Sequence, residues 1–180
     1  IYSLRNSKKH LIKTKRSGSL KKWAMFFIVC CSLVIGLIEP KAASASYAVI
    51  DAQTSRLLKG VNEHDRLPIA SLTKIWTAYV TLQYANLEDA VTISDEAMRS
   101  EGSSIYLQAG EQRTVEELLY GLMLRSGNDA AYALAEHVGG SKEGFVYLMN
   151  EQAEMHGLQN TTFTNPSGLH HEQHLSSAYD

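Results

Sequence analysis

Two different spacings of apolar residues divide the chain into elements. "SYAVIDAQTSRLLKG" holds two short strand-like runs, Tyr47–Asp51 and Arg56–Lys59, around the turn-forming "AQTS", and predicts a hairpin. A polar link, "VNEHDRLP", follows, and from Ser71 to Leu87 nothing interrupts a helix that Pro68 is placed to open. Val115, Leu118, Leu119, Leu122 and Met123 recur at i, i+3, i+4, i+7 and i+8, with Thr114 and Glu117 spaced as a capping box and Gly127 as the stop. Asp129 is placed to cap a second helix over "AAYALAEHV", which Gly139-Gly140 ends. Ser141 opens a third, which reaches His156 and stops at Gly157. Past it "LQNTTFTNPSGLHHEQH" is polar and turn-rich, and "SSAYD" predicts a helix starting at Ser176 or Ser177. No repeat or low-complexity tract interrupts this order.

Charge separates the first 45 residues from the rest. They carry nine of the 17 basic residues and one of the 19 acidic ones, so residues 46–180 hold eight basic against 18 acidic and are strongly negative. That balance tells against nucleic acid as a partner, because phosphate neutralisation needs basic residues where the fold is. The leader has its own explanation: a basic start, a 16-residue apolar run from Trp23 to Ile38, and small residues with Ala43-Ser44-Ala45 as an A-x-A cleavage site. The run is shorter than the roughly 20 residues of a membrane span, so a secretory signal is the first reading and an uncleaved membrane anchor the second. Cys30 and Cys31 lie in this run without the small residue that a lipoprotein signal wants before its cysteine, and cleavage leaves an exported domain without disulfide or thiol chemistry. Residue 1 is isoleucine, so the true start is expected to lie elsewhere. The remainder is 135 residues long in a chain 44% hydrophobic and 20% charged, enough for one domain with a real core.

Chemistry concentrates at two places. In "PIASLTKIWTAYV", Ser71 and Lys74 stand at i and i+3, on one face of a helix and within hydrogen-bonding reach. Leu72, Ile75, Trp76 and Val80 surround the lysine in sequence and predict a buried ammonium with a depressed pKa, able to act as a base toward the serine hydroxyl. S-x-x-K alone is weak: Ser19 and Lys22 repeat it in the leader, and an N-cap serine beside a snorkelling lysine explains the pair equally well. The second place is Ser126-Gly127-Asn128, the one S-x-N of the chain, at a junction between helices where hydroxyl and amide can face a cleft. The ordinary reading there is a C-cap glycine with capping neighbours. The two motifs together, in this order and both at helix ends, are far less expected by accident than either alone.

His170, His171 and His174 invite a metal reading, but "HEQH" misses the H-E-x-x-H spacing and sits in a predicted loop, so neither metal nor cofactor is expected. His137 and His156 fall near helix C-termini, and Glu116, Glu117, Asp95 and Glu96 fall in first turns, where the helix dipole accounts for them.

"IASLTKIWTA", "SEGSSIYLQAGE", "LLYGLMLRSGNDAAYALAEHVGGS" and "NTTFTNPSGL" with "HLSSAYD" together resemble, in order, the N-terminal half of the low-molecular-mass penicillin-binding D-alanyl-D-alanine carboxypeptidases, the peptidase S11 group. The wording around the S-G-N is similar to that of the sporulation-associated enzymes of Bacillus-like bacteria. The resemblance implies an α/β (α+β) fold of the β-lactamase and transpeptidase kind, an antiparallel sheet flanked by helices with the Ser71 helix central. Ser71 would be the nucleophile that forms an acyl-enzyme and Lys74 its general base. Ser126 would relay a proton to the leaving D-alanine, Asn128 would hold a substrate amide, and the Ser71 N–H would serve an oxyanion hole. Lys74 would be compensated by hydrogen bonds to Ser71, Ser126 and Asn128. The implied partners are peptidoglycan stem peptides ending in D-Ala-D-Ala and β-lactam antibiotics, at the extracytoplasmic face of the cell envelope.

One departure stands out: the family's third motif, K-T-G on a late strand, is absent from these 180 residues. The expectation is therefore a leader over 1–45 and, over 46–180, the N-terminal portion of a catalytic domain whose later strands are missing, inactive alone. A serine β-lactamase of the same fold is the nearest rival, but "NTTFTNPSG" lacks the glutamate that class A enzymes use for deacylation. An inactive wall-binding module is the alternative of a different class, distinguished by whether Ser71 acylates.

Overall fold

The computed structural model describes Trp23 and residues 45–180. The expected leader, Trp23 and Ala45 aside, lies outside the described residues, and the cleavage site with it. Among the described residues no helix is long and apolar enough to cross a membrane.

β1 (Tyr47–Ile50) and β2 (Leu57–Val61) form the predicted hairpin, antiparallel with Tyr47 opposite Val61 and a register shift at Val49/Ile50. Its turn is organised by Asp51, whose Oδ1 accepts from Thr54 N (2.8 Å), Thr54 Oγ1 (2.7 Å) and Gln53 N (3.2 Å). A side chain that satisfies backbone donors two and three residues on is why aspartate favours such turns.

The chain then passes a short 3-10 turn, Ala70–Leu72, into α1 (Thr73–Tyr84). The buried face of α1 is hydroxylic as much as apolar: Thr73, Lys74, Thr77, Val80 and Thr81 point inward. Thr81 Oγ1 donates to Thr77 O at 2.8 Å, and Thr77 Oγ1 donates to Pro166 O at 2.6 Å. Leu72, Ile75 and Leu82 face outward.

β3 (Ala90–Thr92) pairs antiparallel with β4 (Gln112–Thr114), framing the one-turn helix α2 (Asp95–Met98) and the loop after it. α3 (Val115–Arg125) begins at the predicted capping box, with Thr114 accepting from Glu117 N and the Glu117 carboxylate accepting from Thr114 N. It ends at Ser126, which takes the left-handed conformation, one residue before the expected glycine. α4 (Asn128–Gly139) has Gly127 at its N-cap and no side-chain cap, so Asp129 is not the cap the sequence suggested; its carboxylate is used elsewhere. α5 (Lys142–Met155) starts at Ser141, whose hydroxyl accepts from Gly144 N at 3.0 Å. Gly139 is required at the α4–α5 corner, where an added Cβ would lie 2.2 Å from the Phe145 nitrogen.

α4 is the helix enclosed on most sides, a place that the resemblance implied for the Ser71 helix. Ala130, Ala131, Ala133, Leu134 and Ala135 are all buried, and the small side chains let α1, α3 and α5 close around it. It divides the core into two clusters. One joins Val91, Ile93, Leu107, Leu118 and Leu122 to its first half, and the other gathers Val80, Phe145, Met149 and Phe163 about Ala135. Ala45–Asp180 is one compact unit.

The helix expected from Ser176 does not form. Ser176 instead bridges Leu67, with Leu67 N donating to Ser176 O at 2.8 Å and Ser176 N to Leu67 O at 3.0 Å. The end of the chain thereby fastens the segment that leads to Ser71.

Candidate active site

Ser71 sits exposed in the 3-10 turn, and Lys74 lies in the first turn of α1 with only 3% of its surface accessible. Their facing follows from the i, i+3 spacing: Lys74 Nζ donates to Ser71 Oγ at 3.4 Å. A second, shorter bond runs from Nζ to the carbonyl of Ser167 at 2.7 Å. Burial lowers the Lys74 pKa from the usual lysine value, since desolvation penalises the ammonium and not the amine. The burial arises differently from the sequence expectation: Leu72 and Ile75 are exposed, and the cover comes from the 165–168 loop and the threonine face of α1.

That loop is shaped by Asn165. Its Oδ1 accepts from Ser167 N (3.1 Å), Ser167 Oγ (3.1 Å), Gly168 N (2.7 Å) and Leu169 N (3.1 Å), gathering four donors onto one oxygen. Gly168 then passes so close to the nucleophile turn that a Cβ there would lie 1.9 Å from Ala70 O, and its φ of +82 also calls for glycine. "NPSG" is therefore the backbone cradle of Lys74. Sequence reading registered only its turn character, because a carbonyl acceptor leaves no mark in residue type.

The S-x-N segment is held by a different loop. Asn128 is buried; its backbone N–H donates to Ser103 O at 2.7 Å, and its side-chain Nδ2 donates to Glu101 O. Gly102, with φ +96, allows this approach, since a Cβ there would come within 2.6 Å of Asn128 Nδ2. Asp129, fully buried, takes Ser104 Oγ at 2.6 Å and the Ile105 and Leu107 amides at 3.1 Å each. The tandem Asn128-Asp129 thus pins residues 101–107. α1 and α4, which carry Lys74 and Asn128 in their first turns, pack on one another. Among the described residues no hydrogen bond joins Lys74 to Ser126 or Asn128, so the expected compensation of the ammonium comes from Ser71 and the Ser167 carbonyl instead. Of the loop histidines, His174 is turned to Thr73 and Thr164, while His171 Nδ1 accepts from Gln173 N.

Residues 36–180 match the family described as peptidase S11, D-alanyl-D-alanine carboxypeptidase. The chain belongs to this family. Among its relatives, the D-alanyl-D-alanine carboxypeptidase DacF of Bacillus subtilis is 43% identical over 140 residues, which are 75% of this chain and 36% of that protein. DacC of Escherichia coli is 38% identical over 152 residues, 78% of this chain and 38% of the relative. The solved structure of penicillin binding protein 5 from Haemophilus influenzae superposes with a TM-score of 0.71 at 35% identity, covering 80% of this chain and 44% of that one. The mixed fold of helices and small antiparallel sheets is thus the fold of the peptidase S11 carboxypeptidases. The chain spans less than half the length of the two curated relatives.

Proposed function

We propose that the protein is a serine-type D-alanyl-D-alanine carboxypeptidase that trims peptidoglycan stem peptides through an acyl-enzyme on Ser71. The observation that carries this reading is Lys74: a buried amine with a lowered pKa, 3.4 Å from a solvent-exposed serine hydroxyl. Unprotonated Nζ takes the hydroxyl proton as Ser71 Oγ attacks the carbonyl of the penultimate D-alanine. As the tetrahedral intermediate collapses, the C–N bond breaks and the terminal D-alanine leaves with the proton that Lys74 took up; Ser126, which among the described residues is not hydrogen-bonded to Lys74, is the relay proposed for its delivery. Water then hydrolyses the ester and regenerates Ser71. The Ser71 N–H supports the oxyanion. Because Asn128 Nδ2 is engaged with Glu101 O, its Oδ1 is the end that accepts a substrate N–H. The assignment covers only the nucleophile and S-x-N parts of the site, as no K-T-G occurs in these 180 residues.

The same geometry favours a carboxypeptidase over a β-lactamase. Among the described residues no carboxylate hydrogen-bonds to Ser71 or Lys74; the loop over the lysine presents a carbonyl, which cannot act as a general base. A penicilloyl ester should therefore persist. Export to the extracytoplasmic face, by the leader of residues 1–45, belongs to the same proposal, with residues 46–180 as the catalytic-domain portion.

Intact mass spectrometry of the protein at its full natural length after incubation with benzylpenicillin tests the reading. The expected result is one long-lived penicilloyl adduct, absent in Ser71→Ala, together with D-alanine release from a stem pentapeptide. An unmodified parent protein, or an adduct that survives Ser71→Ala, would sink it.

A further inference from the structure

His174 is a buried titratable group that the mechanism above does not use, 2% exposed and far in sequence from both motifs. Its ring joins two elements. Nδ1 accepts from the backbone N–H of Thr164 at 3.1 Å, so the proton resides on Nε2, which donates to Thr73 Oγ1 at 2.7 Å. Thr73 immediately precedes Lys74, and Thr164 immediately precedes Asn165, which folds the loop that delivers the Ser167 carbonyl to Lys74 Nζ. The Phe163 ring meets the imidazole edge-on. Burial, with the charge of His171 as the second influence, lowers the His174 pKa and keeps the ring neutral, as this bonding needs.

We propose that His174 is a positioning residue for acyl transfer: its neutral Nε2–H tautomer latches the loop carrying Ser167 to the helical turn carrying Lys74. Resting on the functional reading above, this latch explains what aims the base. A neutral amine has two N–H bonds and one lone pair. With one N–H held by the Ser167 carbonyl, rotation about the Cε–Nζ bond is restricted and the lone pair is left to the Ser71 side. If the loop shifts, the carbonyl moves and Nζ loses its orientation, although Ser71 and Lys74 remain in place.

Nitrogen-15 NMR of the imidazole rings in the full-length protein comes first. The expected spectrum shows His174 protonated at Nε2 and bonded at Nδ1; a proton at Nδ1 would overturn the latch. Stopped-flow acylation by benzylpenicillin then separates positioning from folding. His174→Phe and Thr73→Val should each slow the first-order acylation step on the order of ten- to hundredfold, the penalty typical of a misplaced catalytic group, with non-covalent drug binding unchanged. His174→Gln, whose amide reaches the Nε2 position, should recover much of the rate. Because the two residues act through one bond, the double variant should be no slower than the slower single. Folded His174→Phe protein acylating at the parent rate, or losses that multiply in the double variant, would overturn the proposal. Failure of the unsubstituted protein to acylate at all refutes the carboxypeptidase reading instead, and the imidazole spectrum tells the two failures apart.

Discussion

Lys74 must be dry to act as a base, and dryness makes its charged form unfavourable. Its pKa in the folded chain lies below the value of 10.5 that it regains on unfolding, so between those two values the unfolded state binds more protons. Stability should climb with pH across that window. Thermal melts of parent and Lys74→Met from neutral pH to 10.5 should show the variant melting higher at neutral pH and the difference closing as pH rises, while acylation falls by about 10²–10⁴, the range for loss of a general base. His174 has the same sign in a lower window. Its contribution is complete above 6.5 and is lost as pH falls toward its depressed folded value. The parent should therefore lose stability below 6.5 more steeply than His174→Phe, as read by melts in graded buffers. At this scale the sequence was legible where chemistry resides in side-chain type: Ser71 and Lys74 were singled out by their spacing once the S-x-N motif and the family resemblance stood beside it. The Ser167 carbonyl was not, because every residue has one, and His174 was read as a discarded metal candidate because its partners are 10 and 101 residues away.

Elements in this chain start and stop by local bonding, and their measured stabilities should reflect it. Thr114→Ala removes the acceptor that holds Glu117 N at the start of α3 and should cost about 1 kcal/mol in denaturant unfolding, as loss of an N-cap does. Asp129→Ala should cost more, about 3 kcal/mol, since it strands the Ser104 hydroxyl and the Ile105 and Leu107 amides in a buried place. Asp129→Asn, retaining one acceptor oxygen, should fall between. Those donors show where the Asp129 carboxylate goes: the residue stands two positions past Gly127, inside the first turn and not at the cap, and a more distant loop claims its oxygens. β3 and β4 escaped notice because three residues each, "AVT" and "QRT", give no readable alternation. The hairpin, the capping box and the Ser141 start were legible because their signals lie within a few residues of one another.

Seen whole, the unit from Ala45 to Asp180 buries α4 well and leaves another face bare. Leu82, Leu87, Tyr120, Met123 and Leu124 are exposed together on α1, α3 and the segment after α1, with Leu124 75% accessible. A contiguous apolar face of this kind drives association in water. Residues 46–180 prepared alone should sediment as concentration-dependent oligomers, and Leu82→Lys with Leu124→Lys should return them toward monomer; a monodisperse monomer before substitution would contradict this. The bare face was not legible beforehand because periodicity marks which residues are apolar and not which side they turn to the core. On the opposite side of α1, the threonines have a mechanical consequence. A purely oily stripe resists separation but hardly resists turning, whereas the 2.6 Å bond from Thr77 to Pro166 O is directional and indexes the helix like a key in a slot. A slip of one residue turns a helix by about 100°. The Thr77 bond thereby holds the rotation of the helix that carries Lys74, although among the described residues its hydroxyl is hydrogen-bonded to neither Lys74 nor Ser71.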